Sequence, residues 1–287
     1  MKIIAILFTL LLSSCSANYT TESFVYQDKQ PEKQLDITKI QTDIDDAHIS
    51  AVVSAVSLTT IDGTTLKGVK LLNDNALVNI VFFSANGMKI SSSSKILNKF
   101  SLLPANVIWF DYRGVGVSDK KQKLSLNHLQ TDALRVFDFS KNALPSNLPM
   151  TIHGLSMGSL IAAYVANNKE IEALTLDGAI YNVPQLVDNL IPTWSKPFYS
   201  ITLSPELAEI NNVDSIKTYN KPLLLLIGEN DSITPIENSQ ALYNISTSKV
   251  KTLAIIPDTK HGETLKKDKA IEAYQAFIEQ LVCCGKG

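Results

Sequence analysis

At 287 residues the chain is long enough for one large α/β domain or two small ones. Its 45% hydrophobic and 19% charged residues are those of a globular protein with a sizeable core. A formal net charge of −2 without a basic stripe excludes the electrostatic footprint of a nucleic-acid binder, and three cysteines and four scattered histidines argue against a structural metal site.

The N-terminus reads as a targeting segment. Lys2 precedes an apolar run from Ile3 to Leu12, too short to span a bilayer and of the right length for the hydrophobic part of a signal peptide. Leu12-Ser13-Ser14-Cys15 follows and resembles the lipobox of bacterial lipoproteins. That resemblance implies cleavage after residue 14 and acylation of Cys15. Several acyl chains on one cysteine anchor a protein where a single chain does not. Ser16, where an aspartate would signal inner-membrane retention, implies an outer-membrane location facing the periplasm. The competing reading is a plain secretory signal with Cys15 incidental. Residues 1–14 are thus expected to be a signal peptide. Residues 15–48, polar and nearly aperiodic, are expected to form a tether with a short helix near its end.

From 49 to 287 the pattern is that of an ordered domain. Ala51 to Thr60 alternates as a strand, Asp62-Gly63 makes a hairpin turn, and Leu66 to Leu72 returns. Leu77 to Phe83 and Asn106 to Phe110 are near-continuous apolar runs, as in strands buried on both faces, with a helix at Ser93 to Leu102 between them. Leu126 to Asn142 carries Leu129, Ala133, Val136 and Phe137 at helical spacing. Leu148 to Ile152 is a strand and Leu160 to Ala166 a buried helix. Ile171 to Leu176, Leu223 to Ile227 and Val250 to Ile256 are further strands, and Asp268 to Val282 closes the chain as an amphipathic helix. An antiparallel start followed by repeated β-α units implies a mostly parallel sheet with helices on both faces. From about 179 to 220 the alternation breaks down into a segment rich in proline and aromatic residues, which reads as a cap.

Between the strand at 148–152 and its helix stands Gly154-Leu155-Ser156-Met157-Gly158. A serine there, with glycines two residues before and after, has the form of a nucleophile elbow. Asp111-Tyr112-Arg113-Gly114-Val115-Gly116-Val117-Ser118 precedes it, and Gly228-Glu229-Asn230-Asp231-Ser232-Ile233-Thr234-Pro235 follows. Together these motifs resemble the α/β-hydrolase superfamily across roughly residues 50–282. Within it, the likeness is to small acyl hydrolases of the depalmitoylase-like and lysophospholipase-like kind. The resemblance implies Ser156 as nucleophile, His261 as base and Asp231 as the acid that orients it, in the order Ser…Asp…His. Of the other histidines, His48 precedes the domain, His128 lies within a predicted helix, and His153 faces the core near a strand end. Asp177 is the rival acid. It ends the strand after the elbow helix, where some members place theirs. The oxyanion hole would use the backbone amides of Met157 and Asn86. Here the sequence departs from the superfamily, with Ser84-Ala85 where His-Gly is usual. Arg113 reads as a tie for its own loop rather than a substrate clamp. Trp194, Phe198 and Tyr199 are candidates either to line an acyl pocket or to pack the cap onto the body.

The expected activity is hydrolysis of an ester, thioester or small amide of a small acyl substrate, with no metal, nucleotide or redox cofactor. The partner surface is a membrane, reached through the lipid anchor, and not a nucleic acid. The competing class is a non-catalytic, lipid-anchored envelope protein that keeps the fold and binds, favoured by the altered oxyanion loop. A haloalkane- or epoxide-type hydrolase is disfavoured because those enzymes place aspartate where Ser156 stands. Cys283 and Cys284 receive no function, and oligomeric state is not legible.

Overall fold

The computed structural model describes residues 15–30, 32, 34–45, 50–120 and 123–284. The expected signal peptide and His48 lie outside these residues. The strands are β1 (Cys15–Tyr19), β2 (Ala51–Thr59), β3 (Thr65–Asn73), β4 (Val78–Phe83), β5 (Ala105–Phe110), β6 (Met150–Leu155), β7 (Ala173–Asp177), β8 (Tyr199–Leu203), β9 (Leu223–Gly228) and β10 (Lys251–Ile256).

Eight of them form one sheet in the order β10-β9-β7-β6-β4-β5-β3-β2. The β2–β3 hairpin is antiparallel and joins β5 antiparallel, while every pairing from β5 to β10 is parallel. All residues of β4, β5, β6, β7 and β9 are buried, which is why they read as unbroken apolar runs. β2 lies at the sheet edge, and its burial alternates accordingly. One face is covered by the helices Leu126–Ala143, Met157–Asn168 and Ile236–Ile245. The other is covered by Ile37–Asp45, Lys95–Ser101 and Asp268–Cys284.

Two features depart from the sequence reading. The helix expected at 93–102 is two short pieces, Ile90–Ser93 and Lys95–Ser101, and the helix Ile236–Ile245 was not anticipated. More consequentially, the described residues between 15 and 45 pack against the domain rather than extending as a tether. β1 pairs in parallel with β8, and Val25, Ile40 and Ile44 are buried. Ile37, Ile40 and Ile44 recur at helical spacing, so a short polar helix still presents an apolar stripe to the core. Gln41 secures that helix to the edge strand. Its amide nitrogen donates to the Ala51 carbonyl at 2.9 Å, and its oxygen accepts from the Val53 amide at 2.7 Å. A segment can therefore be integral to a fold with few apolar residues, provided its polar groups find backbone partners.

Between β7 and β9 the chain leaves the sheet as the helix Val183–Leu190, a 3-10 turn at Thr193–Phe198, β8, and the helices Pro205–Ala208 and Val213–Thr218. Of these, the helix Val183–Leu190 and β8, together with β1, contribute side chains beside Ser156.

Candidate active site

The elbow is a backbone feature before it is a chemical one. Ser156 sits at φ 54° and ψ −116°, a conformation that L-residues avoid and that costs on the order of 1–3 kcal/mol. It is held there because β6 must turn at once into the helix Met157–Asn168. The two glycines make the turn possible. A Cβ at Gly154 would lie 2.3 Å from the Gly158 carbonyl oxygen, and one at Gly158 would lie 2.0 Å from that of Phe83. The second contact seats the end of β4, and the loop that follows it, against the start of the elbow helix.

Three side chains from three strand ends then meet. Ser156 Oγ lies 2.8 Å from His261 Nε2, and His261 Nδ1 lies 2.7 Å from Asp231 Oδ2. Asp231 is further fixed by its own loop. Its Oδ1 accepts from the Ile233 and Thr234 amides at 2.9 and 2.8 Å, and its Oδ2 accepts from Thr234 Oγ1 at 2.8 Å. Burial acts to raise the Asp231 carboxyl, but the hydrogen bonds from His261 and Thr234 outweigh it and leave the group below its ordinary value. The acid is thus an ionised acceptor, suited to hold one imidazole tautomer with Nε2 free to accept a proton. Thr234, which also lies 3.2 Å from His261 Nδ1, was missed in the sequence. Its signal is the turn in which an aspartate accepts from backbone two and three residues on.

Asp177 is placed differently. It is buried beneath the site, accepts from Thr264 Oγ1, and lies 3.8 Å from His153 Nε2. Burial raises its carboxyl to about 7 and lowers the His153 imidazole to about 3, so both are held toward their neutral forms. It makes no hydrogen bond to His261. His153 is fully buried among Phe82, Phe100 and Tyr274.

Met157 opens its helix, so its N–H has no intrahelical acceptor, and the Asn86 N–H has no partner among the described residues. Both residues line the pocket that contains Ser156. Ala85, which replaces the usual glycine, does not adopt a positive φ and packs its methyl against the core. The substitution therefore costs no backbone strain.

The overall arrangement matches known folds closely. The crystal structure of the Pyrococcus furiosus esterase Pf2001 superposes with a TM-score of 0.68, covering 90% of this chain and 97% of that one at 19% identity. This is an α/β-hydrolase fold. Residues 78–205 of the hydrolase domain match the family model described as serine aminopeptidase, S33, a stretch that contains Ser156 and stops short of Asp231 and His261. By sequence the chain is 26% identical to the protein YfhR of Escherichia coli O157:H7 over 236 residues, 79% of this chain and 78% of that protein. It is 31% identical to the lysophosphatidylserine lipase ABHD12 of Xenopus tropicalis over 153 residues, which is 49% of this chain and only 39% of the lipase.

Within this hydrolase fold the pocket at Ser156 has a volume of about 300 Å³ and is lined mainly by apolar side chains, among them Phe24, Ile180, Leu186 and Ile201. The aromatic candidates do not build it. Trp194 is 79% and Phe198 46% exposed, and neither lines the pocket. Tyr199 contributes its backbone to β8, and its side chain lies outside the described residues. The aromatic walls come instead from Tyr19 and Phe24, in the segment expected to be a tether. Arg113 does not line the pocket. It makes a bidentate pair with Asp132 at 2.6 Å and reaches Asp62 at 2.8 Å, tying its loop through carboxylates. Asp111 and Ser118 hold the same loop through backbone hydrogen bonds.

Proposed function

We propose that this protein is a serine hydrolase that cleaves an acyl ester, with Ser156 as nucleophile, His261 as general base and acid, and Asp231 as the orienting carboxylate. The observation that carries this reading is the continuous chain of hydrogen bonds from Asp231 through His261 to a serine held at positive φ. Ser156 Oγ attacks the carbonyl carbon while its proton passes to His261 Nε2. The oxyanion that forms is met by the Met157 and Asn86 amides. Collapse breaks the bond to the leaving oxygen, which takes the proton from His261. Water then attacks the acyl-enzyme, gives a proton to His261, and releases a carboxylic acid with the serine restored.

The apolar lining of the pocket supports a hydrocarbon acyl group. The resemblance to a lysophosphatidylserine lipase supports a single-chain lipid ester over a soluble thioester or amide. Location follows the same reading. Acylated Cys15 would hold the enzyme at a bacterial membrane surface, where such lipids reside.

The test is labelling of purified full-length protein with a fluorophosphonate probe, followed by turnover of a short activated ester. Labelling in the native protein, absent in Ser156→Ala and suppressed in His261→Ala, is the expected result. An unlabelled, folded native protein would leave the binding-protein reading in its place.

A further inference from the structure

The pocket at Ser156 has a neighbour. A second cavity, of about 380 Å³, lies between the helices Leu126–Ala143 and Met157–Asn168 and the cap stretch 205–215. Its lining is mainly apolar, from Leu126, Leu129, Leu160, Ile161, Leu207 and Ile210, with Gln130, Tyr164 and Asn211 among the polar residues. Glu206, Glu209 and Asp214, all exposed, stand at its outer rim. The two cavities share the side chains of Phe24 and Met157. Met157 is fixed by the elbow, which leaves Phe24 as the removable partition.

Phe24 is held firmly on both sides. Its carbonyl accepts from Asn86 Nδ2 at 2.9 Å, and the Tyr26 amide donates to Asn86 Oδ1 at 2.7 Å. Val25 between them is buried in the core. On the other side, the helix Thr21–Phe24 opens with a reciprocal cap between Thr20 and Ser23, and Thr21 Oγ1 donates to Glu206 at 2.5 Å. The same two Asn86 bonds that seat Phe24 also seat the loop whose amide is proposed to meet the oxyanion.

Resting on the esterase reading of Ser156, we propose that the second cavity is an acyl-chain subsite and that Phe24 sets chain length by closing it off. In the native protein an acyl chain attached at Ser156 ends against the Phe24 ring. Once the ring is removed, the chain continues into the cavity tail-first, since the carboxylates at the outer rim disfavour entry of an anionic head from that side. Each further methylene transferred from water to the apolar wall is worth about fourfold in binding.

The experiment compares p-nitrophenyl esters from butyrate to palmitate on full-length native protein, Phe24→Ala, and Phe24→Ala with Ile210→Trp. Ile210 lines only the second cavity, and tryptophan there fills it. The expected result is a rise in the long-to-short ratio of kcat/KM of at least about tenfold in Phe24→Ala, abolished by Ile210→Trp. Equal loss on every ester in Phe24→Ala, or a gain that survives Ile210→Trp, overturns the proposal. A second readout does not depend on catalysis. In a Ser156→Ala background, calorimetric affinity for dodecanoate relative to butanoate should rise with Phe24→Ala and fall back with Ile210→Trp, and an unchanged ratio overturns the subsite. Failure of Ser156 to react with fluorophosphonate while this binding pattern holds would count against the esterase reading alone.

Discussion

Ser156 combines two roles that substitution can separate. Its hydroxyl is proposed to do the chemistry, while its Cβ is what makes φ 54° costly. Ser156→Ala should lose about 10⁶-fold in kcat with nearly unchanged stability, and adding His261→Ala should cost little more, because the groups act as a unit. Ser156→Gly should be equally inactive yet about 1 kcal/mol more stable than Ser156→Ala, since glycine accepts the conformation without strain. Chemical denaturation of the two variants checks this, and equal stabilities would show the strain to be absent. Asp231→Asn should cost about 10⁴ in kcat, less than loss of the serine. Asp177→Asn should keep most activity and instead alter the response to pH. Burial raises the Asp177 carboxyl from 3.8 to about 7, so the folded protein keeps a proton that the unfolded chain releases. The stability this contributes is complete below 3.8 and is lost progressively as pH rises to about 7. Asparagine cannot ionise. The melting temperature of Asp177→Asn relative to native protein should therefore climb across that window and level off above it, by on the order of 5 °C in total. Buried Asp111, also raised to about 7, gives both proteins the same underlying slope and cancels in the comparison.

Individual elements were legible in the sequence to the degree that burial wrote itself into composition. β4, β5, β6, β7 and β9 are buried along their whole length, so apolar runs marked them to within two or three residues. The elbow was legible for a different reason, since two close backbone approaches exclude every side chain at Gly154 and Gly158. The helix Ile236–Ile245 was not legible. It follows Pro235 without a side-chain cap and buries Asn238 and Ser239 alongside Leu242, so its inner face does not look apolar. The departure of the chain from the sheet between β7 and β9 was visible as a break in the alternation, but its aromatic residues misled. Trp194 and Phe198 suggested a pocket wall and are exposed, whereas Tyr19 and Phe24 form that wall because β1 pairs with β8, a long-range pairing no local pattern announces. Trp194→Ala should leave kcat/KM on soluble esters within about twofold at every chain length, since surface changes of this kind leave the packed site alone. Asn86→Ala removes the two side-chain bonds by which Asn86 ties its loop to Phe24 and Tyr26, while the Lys89 pairs with Asp28 and Glu32 remain. It should lower kcat about 10–100-fold with little change in KM, as loss of an oxyanion donor does. A matching rise in KM would instead indicate that the loop only shapes the pocket.

At the scale of the whole molecule, the N-terminal segment joins the proposed anchor to the pocket with little slack. β1 begins at Cys15, which pairs with Tyr199, immediately after the turn that exposes Trp194 and Phe198. Leu190, also exposed, lines the pocket at Ser156. A lipid on Cys15 would consequently hold the cap, rather than the back of the sheet, against the membrane. Singly exposed apolar residues are ordinary on a protein surface, but here Leu190, Trp194 and Phe198 fall within nine residues of the strand that pairs with the proposed attachment point. The chain has two tryptophans, and Trp109 is fully buried, so a change in emission on adding vesicles reports on Trp194 alone. Native protein purified with its anchor should partition into phosphatidylethanolamine–phosphatidylglycerol vesicles, with a blue shift that Trp194→Phe removes. Cys15→Ser should remain in the aqueous phase or uncleaved, while keeping turnover of short soluble esters. If the native chain stays aqueous with an unmodified Cys15, the anchor is wrong. If it is acylated and vesicle-bound while Trp194 emits as in water, the anchor stands and the cap faces away from the lipid, so substrate would have to reach Ser156 through solvent.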